Sequence, residues 1–214
     1  MTRSGGRWAI PVGMALAALA GGLVWLGHAA TQESREGPRP FLAGGERLSL
    51  PGAYFRPSRD DDAVELVAFF PDFQPAGRFD DIGAGADLDE RFQRLVFLEL
   101  RAADPRLDPA ERTSRLYSRF LVESSWSHPG GLVARKFEDG SPFEGDELFY
   151  TPPDGRDFAA RCRQPDPERK TPNTCIASFR TRAIDVELRF SAGLISQWQA
   201  LIAGARGVIE TARR

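Results

Sequence analysis

The side chains of this chain most able to do chemistry are its two cysteines, Cys162 and Cys175, which bracket the polar segment RQPDPERKTPNT. A redox couple usually shows CxxC spacing, and a zinc site takes four ligands. Here the spacing is wider, and the only histidine downstream of residue 28 is His128. The simplest chemistry left is a disulfide between Cys162 and Cys175, closing a loop with three prolines and little to bury. His128 lies in SSWSHPGG, beside Ser124, Ser125 and Ser127. A Ser–His–acid site requires convergence in space. No G-x-S-x-G elbow is present, and Ser141 in GSPFEG lacks that spacing. A surface-loop histidine is the favoured reading.

The acidic runs Asp60–Asp61–Asp62 and Asp80–Asp81, with Asp87, Asp89 and Glu90, offer hard oxygen ligands. Calcium takes six to eight of them at defined spacing, and the EF-hand pattern is missing, so solvated loops are expected. Gly83-Ala-Gly85-Ala lacks the third glycine of a dinucleotide loop. No catalytic residue, metal or cofactor is therefore expected. Aromatic residues offer recognition instead. FFPDF places Phe69, Phe70 and Phe73 around a proline at a strand end, and Trp126 sits in a serine-rich loop. Large rings at loop positions are the usual anchors of protein interfaces. Trp126 and Phe73 are the candidate interaction residues, with Phe69 read as core.

The elements that would hold these groups begin with Trp8–Gly27, WAIPVGMALAALAGGLVWLG. About twenty residues at ~1.5 Å each make a helix of about 30 Å, the thickness of a bilayer's hydrocarbon layer. Arg3 and Arg7 precede it and the next basic residue is Arg35, so residues 1–7 are expected in the cytoplasm and the remainder outside it. A cleaved export signal is the competing reading, with cleavage after Ala29 or Ala30. The apolar core exceeds the roughly 7–15 residues usual for such signals, which favours a single-pass anchor. Either way the cysteines reach an oxidising compartment. The whole chain has 28 basic and 30 acidic residues. With Arg3 and Arg7 left in the cytoplasm, the exported part carries two positive charges fewer than the total of −2, near −4. That excludes the basic face of a nucleic-acid binder.

Residues 31–45, TQESREGPRPFLAGG, read as a linker too polar and proline-rich to fold alone. Residues 46–214 read as one α+β domain. Strands are expected at Arg47–Phe55 and Ala63–Phe70, paired as a hairpin, then at Gln93–Ala102, Leu132–Phe137, Glu147–Thr151, Arg156–Arg163, Cys175–Arg180 and Ala183–Phe190. In the third, Val96, Leu98 and Leu100 share one face, and Phe97, Glu99 and Arg101 the other. LDPAERTSRLYSRFL is the clearest helix signal, with Asp108 as N-cap, Pro109 at the first helical position and Glu111 completing a capping box. The final helix, capped by Ser191, should bury Leu194, Trp198, Leu201, Ala205, Val208 and Ala212 against Val186 and Leu188, with Ile195, Ile202 and Ile209 widening the stripe. The fold class that follows is a mainly antiparallel sheet packed on one face with two helices, behind an N-terminal transmembrane helix. LVFLELR before the first helix echoes IDVELRF before the second, an echo too short to establish a duplication.

The LDPAERTSRLYSRFL, GGLVARKF, FAARC…C and VELRFSAGLISQW segments resemble an uncharacterised group of proteobacterial inner-membrane-anchored proteins with an exported α+β domain. That resemblance implies a bacterial inner-membrane location with the C-terminal domain in the periplasm. It brings no activity and no site residues. Two function classes follow from the residues: a non-enzymatic envelope domain that binds or blocks a protein partner, or an envelope hydrolase using His128 and acidic side chains.

Overall fold

The structure is a computed structural model, and it describes residues 37–58, 60–77, 88–164 and 173–214. The expected anchor at Trp8–Gly27, residues 31–36 of the tether, Asp80, Asp81 and Asp87 of the acidic runs and the glycine-containing Gly83–Gly85 stretch lie outside these residues. No described helix is long and apolar enough to cross a membrane.

Among the described residues, twelve strands form two antiparallel sheets. β1 (Pro38–Ala43) pairs with β2 (Glu46–Pro51) as a separate hairpin. Ten strands make the main sheet: β3 (Phe55–Arg56), β4 (Val64–Phe69), β5 (Gln74–Pro75), β6 (Leu95–Ala102), β7 (Trp126–His128), β8 (Leu132–Lys136), β9 (Asp146–Tyr150), β10 (Ala159–Arg163), β11 (Thr174–Thr181) and β12 (Ile184–Ser191). Their order is β3-β4-β6-β12-β11-β10-β9-β8-β7, with β5 beside β4. The described residues include two regular helices, α1 (Leu88–Gln93) and α2 (Trp198–Ala212), the latter entered through a 3-10 segment at Ala192–Gln197. The α+β class and the antiparallel sheet match the expectation, and Cys162 pairs directly with Cys175 across β10 and β11, the two joined by a disulfide with Cα atoms 3.9 Å apart.

Period-two alternation divides the strands between two faces. Ile184, Val186, Leu188 and Phe190 of β12 join Val96, Leu98 and Leu100 of β6 and Leu201, Ala205, Val208 and Ile209 of α2 in one buried cluster, sealed at one end by Leu48 and Leu50 of β2. Arg213 closes that seal, bonding Glu46 of β2 at 2.8 Å. The apolar stripe of α2 was legible from its period. Leu194, Trp198 and Ile202 are only partly buried.

Three expectations need correcting. First, residues 38–43 of the proposed linker form β1. Phe41 and Ala43 point inward with Leu48 and Leu50, so this segment buries apolar surface once β2 is beside it. β2 therefore pairs with β1, while β4 pairs with β3 and β6.

Second, residues 109–120 are not one α-helix but a 3-10 turn, a π turn and another 3-10 turn. The Asp108 cap forms, accepting from Ala110 N at 2.9 Å. Glu111 turns to Arg115 instead of closing the capping box. Ser114 Oγ and Ser118 Oγ donate back to the carbonyls of Glu111 and Ser114, a local competition that distorts helices.

Third, the two helical segments lie on opposite faces. Tyr117 and Phe120 pack with Leu148 and Phe143, whereas Phe149, next to Leu148, belongs to the cluster under α2.

Candidate interaction surface

Trp126 starts β7, the last strand at one edge of the sheet, and is 38% exposed. Its hairpin with β8 is held from behind. The β7–β8 turn contains Gly130 at φ +85°, where a Cβ would lie 2.6 Å from the Ser196 carbonyl oxygen, so only glycine allows this approach. Trp198 Nε1 donates to Gly130 O at 3.0 Å, and the Trp198 ring stacks on Phe158 at 4.9 Å. The C-terminal helix thereby fixes the edge that displays Trp126. His128 shares that strand. Its ring meets Phe149 edge-on at 4.9 Å. Its Nδ1 lies 3.1 Å from the Pro129 carbonyl oxygen. Ser124, Ser125 and Ser127 are exposed beside it.

Phe73 does not join Trp126. It is 4% exposed, with φ +54°, and its ring fills the space above Gly204 of α2, where a Cβ would come within 2.1 Å of it. Tyr54 Oη donates to the Phe73 carbonyl at 2.9 Å, tying down the turn. The turn after β4 faces the helix rather than solvent, and a small residue on α2 receives the ring. Phe73 is thus a core residue, and the expectation of an exposed anchor there is corrected.

The larger surface is one that no sequence motif marked. Segment 109–120 covers the second face of the sheet over β8–β10 and part of β11, where Arg112 donates to Ser178. Over β3, β4, β6, β12 and β11 a groove of about 630 Å³ remains, with Phe97 and Ile176 on its floor between Glu65, Glu99, Glu187 and Arg189. The register brings the three glutamates side by side, Glu65 opposite Glu99 and Glu99 opposite Glu187. Adjacent carboxylates repel. Two arginines offset this. Arg189 reaches Glu187 at 3.1 Å and Glu99 at 3.4 Å, and Arg101 bonds both Glu99 and Asp60 at 2.5 Å. The Arg101 guanidinium holds the Asp60 carboxyl below its usual value, helped by the Asp62 amide, and Asp60 together with Glu99 pushes Arg101 up. Asp60, expected as a solvated loop residue, is thus one pole of this network.

A second hollow of about 510 Å³ continues past Phe97 and Arg189 toward Gln93 and Asn173. Among the described residues, no three His, Cys, Asp or Glu side chains are placed to hold a metal ion. The arrangement as a whole is rings set among pre-paired charges on a rigid sheet, a composition suited to holding a protein surface. The outward positions Phe97, Glu99 and Arg101 were visible in the alternation of β6. Their assembly was not, because β6 and β12 become neighbours only in the fold.

No protein-family model matches the chain, and no curated protein matches it. Among solved structures the chain is similar to Smlt3025, an immunity protein of the Stenotrophomonas maltophilia type IV secretion system. The TM-score is 0.60 and the identity 15%, over 83% of this chain and 93% of that one. The iron-regulated outer membrane lipoprotein FrpD of Neisseria meningitidis matches with TM-score 0.44 and 13% identity, over 84% and 92%. At such identities the likeness to Smlt3025 shows a shared fold.

Proposed function

We propose that this chain is a bacterial envelope protein that acts by binding another protein, as an immunity-type blocker or accessory subunit, and that it performs no turnover of its own. Trp8–Gly27 anchors it in the inner membrane, and the folded domain faces the periplasm. The observation that carries this reading is the uncovered half of the sheet. Its groove presents Phe97 and Ile176 beside Arg189, which Glu99 and Glu187 already hold, so a partner meets a charge whose side-chain entropy is largely spent before binding. Trp126, on the edge strand, is a second anchor, in keeping with the enrichment of tryptophan at binding hot spots. The shared fold with an immunity protein supports the same class, and the disulfide suits an oxidising compartment.

The test is photo-crosslinking in cells, with the reactive side chain placed at Phe97, Ile176 or Trp126 and the products identified by mass spectrometry. One envelope protein should be enriched from these positions and not from Gln199 on α2. Arg189→Glu should weaken its capture at least tenfold while leaving the melting temperature within a few degrees. Equal products from both faces would overturn the reading. So would an envelope-substrate turnover abolished by His128→Ala, which would establish the hydrolase alternative.

A further inference from the structure

Among the described residues, no element covers the outer face of the β1–β2 hairpin. Alternation turns Phe41, Ala43, Leu48 and Leu50 inward. Turned outward are Pro38, Pro40 and Leu42 on β1 and Arg47 and Pro51 on β2, all exposed. Leu42 is 67% exposed, the highest value among the described large apolar side chains. It stands directly opposite Arg47. Beside the hairpin turn, Gly44 abuts the backbone of Ala183, which brings Arg182 to the same corner. Glu46 and Glu210 are both bonded to Arg213. No described carboxylate forms an ion pair with Arg47, and Arg182 lies near enough to Glu46 to help Arg213 hold that carboxyl below its usual value.

We infer that this face rests on the lipid–water interface of the membrane in which the chain is anchored, with Leu42 entering the headgroup layer and Arg47 and Arg182 meeting anionic lipid phosphates. The inference rests on the anchor reading of Trp8–Gly27. Ten residues separate the end of the proposed anchor at Gly27 from the start of β1 at Pro38, and a stretch of that length reaches at most about 35 Å. A tether that short sets a high effective concentration, so one inserted leucine and two arginines suffice where they could not recruit a free protein. Pro38 and Pro40 remove N–H donors from β1, which disfavours the addition of a partner's β-strand along this edge. A lipid surface needs no such ladder.

The test uses the full chain in lipid nanodiscs. Leu42→Cys carries a nitroxide, the native cysteines being oxidised to each other, and Ser124→Cys serves as the distant control. Relative accessibility to oxygen and to a nickel chelate reports depth. In discs containing phosphatidylglycerol the label at position 42 should favour oxygen, and the label at 124 should remain aqueous. Each arginine facing anionic lipid contributes roughly fivefold in partitioning. Arg47→Glu with Arg182→Glu should therefore shift the label toward water at least tenfold. Salt at 1 M should do the same without any substitution, because screening then acts within about 3 Å. A label at 42 that is aqueous in anionic discs, or equally protected in phosphatidylcholine and phosphatidylglycerol discs at all salt concentrations, would refute the inference. Failure of the chain to co-elute with the discs would instead refute the anchor, so the two readings fail separately.

Discussion

The two faces of the main sheet are written in the same strands, one residue apart, and they have opposite characters. Leu188 is fully buried under α2, while its neighbour Glu187 lies on the open groove and holds Arg189. The covered face consists of aliphatic and aromatic side chains whose burial drives folding. The open face carries charges paired with one another around Phe97 and Ile176. Stability is concentrated on the first, so the second is free to vary for recognition at little cost to the fold.

The widest separation between the faces should appear in paired substitutions on β12. Leu188→Ala should cost about 3–5 kcal/mol, the range for truncating a buried leucine that leaves a cavity. Glu187→Ala should cost no more than about 1 kcal/mol, since it removes one partly exposed ion pair. Urea denaturation of both variants decides this, and similar losses would dissolve the distinction between the faces.

The disulfide comes next. Cys162→Ser together with Cys175→Ser should lower stability by about 3 kcal/mol in the chain-entropy account. The loss should appear in thermal melts of oxidised but not of fully reduced wild-type protein as the reference.

Gly204→Ala tests the covered face at its tightest point. The new methyl meets the Phe73 ring, and the cost should be about 1–3 kcal/mol. Adding Phe73→Leu should recover part of it. A neutral Gly204→Ala would return Phe73 to the list of surface candidates.

The smallest effect concerns pH. The Arg213 side chain holds the Glu46 carboxyl below its ordinary value of 4.5, so the native state binds that proton less readily than the unfolded chain. The resulting stabilisation is fully present above that value and is lost as pH falls through the lowered folded value. Glu46→Gln should therefore flatten the acid limb of the stability curve below about pH 4.5 and leave the neutral region little changed.

Legibility in the sequence follows the same division. Strand positions on the covered face were readable because burial imposes a period. Ala183–Phe190 became β12 and Cys175–Arg180 lies within β11. The final helix announced its stripe in the same way. The outward residues were legible only as not buried. Nothing local says that Glu99 will stand beside Glu187 or that Arg189 will bridge them, because those pairings are tertiary. β1 was missed because prolines at 38 and 40 signal a tether when no partner strand is in view. Phe73 was misplaced because a turn sequence does not reveal which side of it meets a helix.

The position of β12 has a consequence for how the domain comes into being. It lies between β6 and β11, and Glu99 and Arg189, which meet across its junction with β6, are 90 positions apart. A chain delivered N-terminus first completes β4 and β6 long before their neighbour exists. Until residue 190 arrives, β6 carries an open row of backbone donors and acceptors beside Val96, Leu98 and Leu100. Such an edge is a template for aggregation. The nascent chain therefore has a vulnerable interval that ends only when its last strand is delivered, and any holding factor that acts on it must recognise that half-built edge.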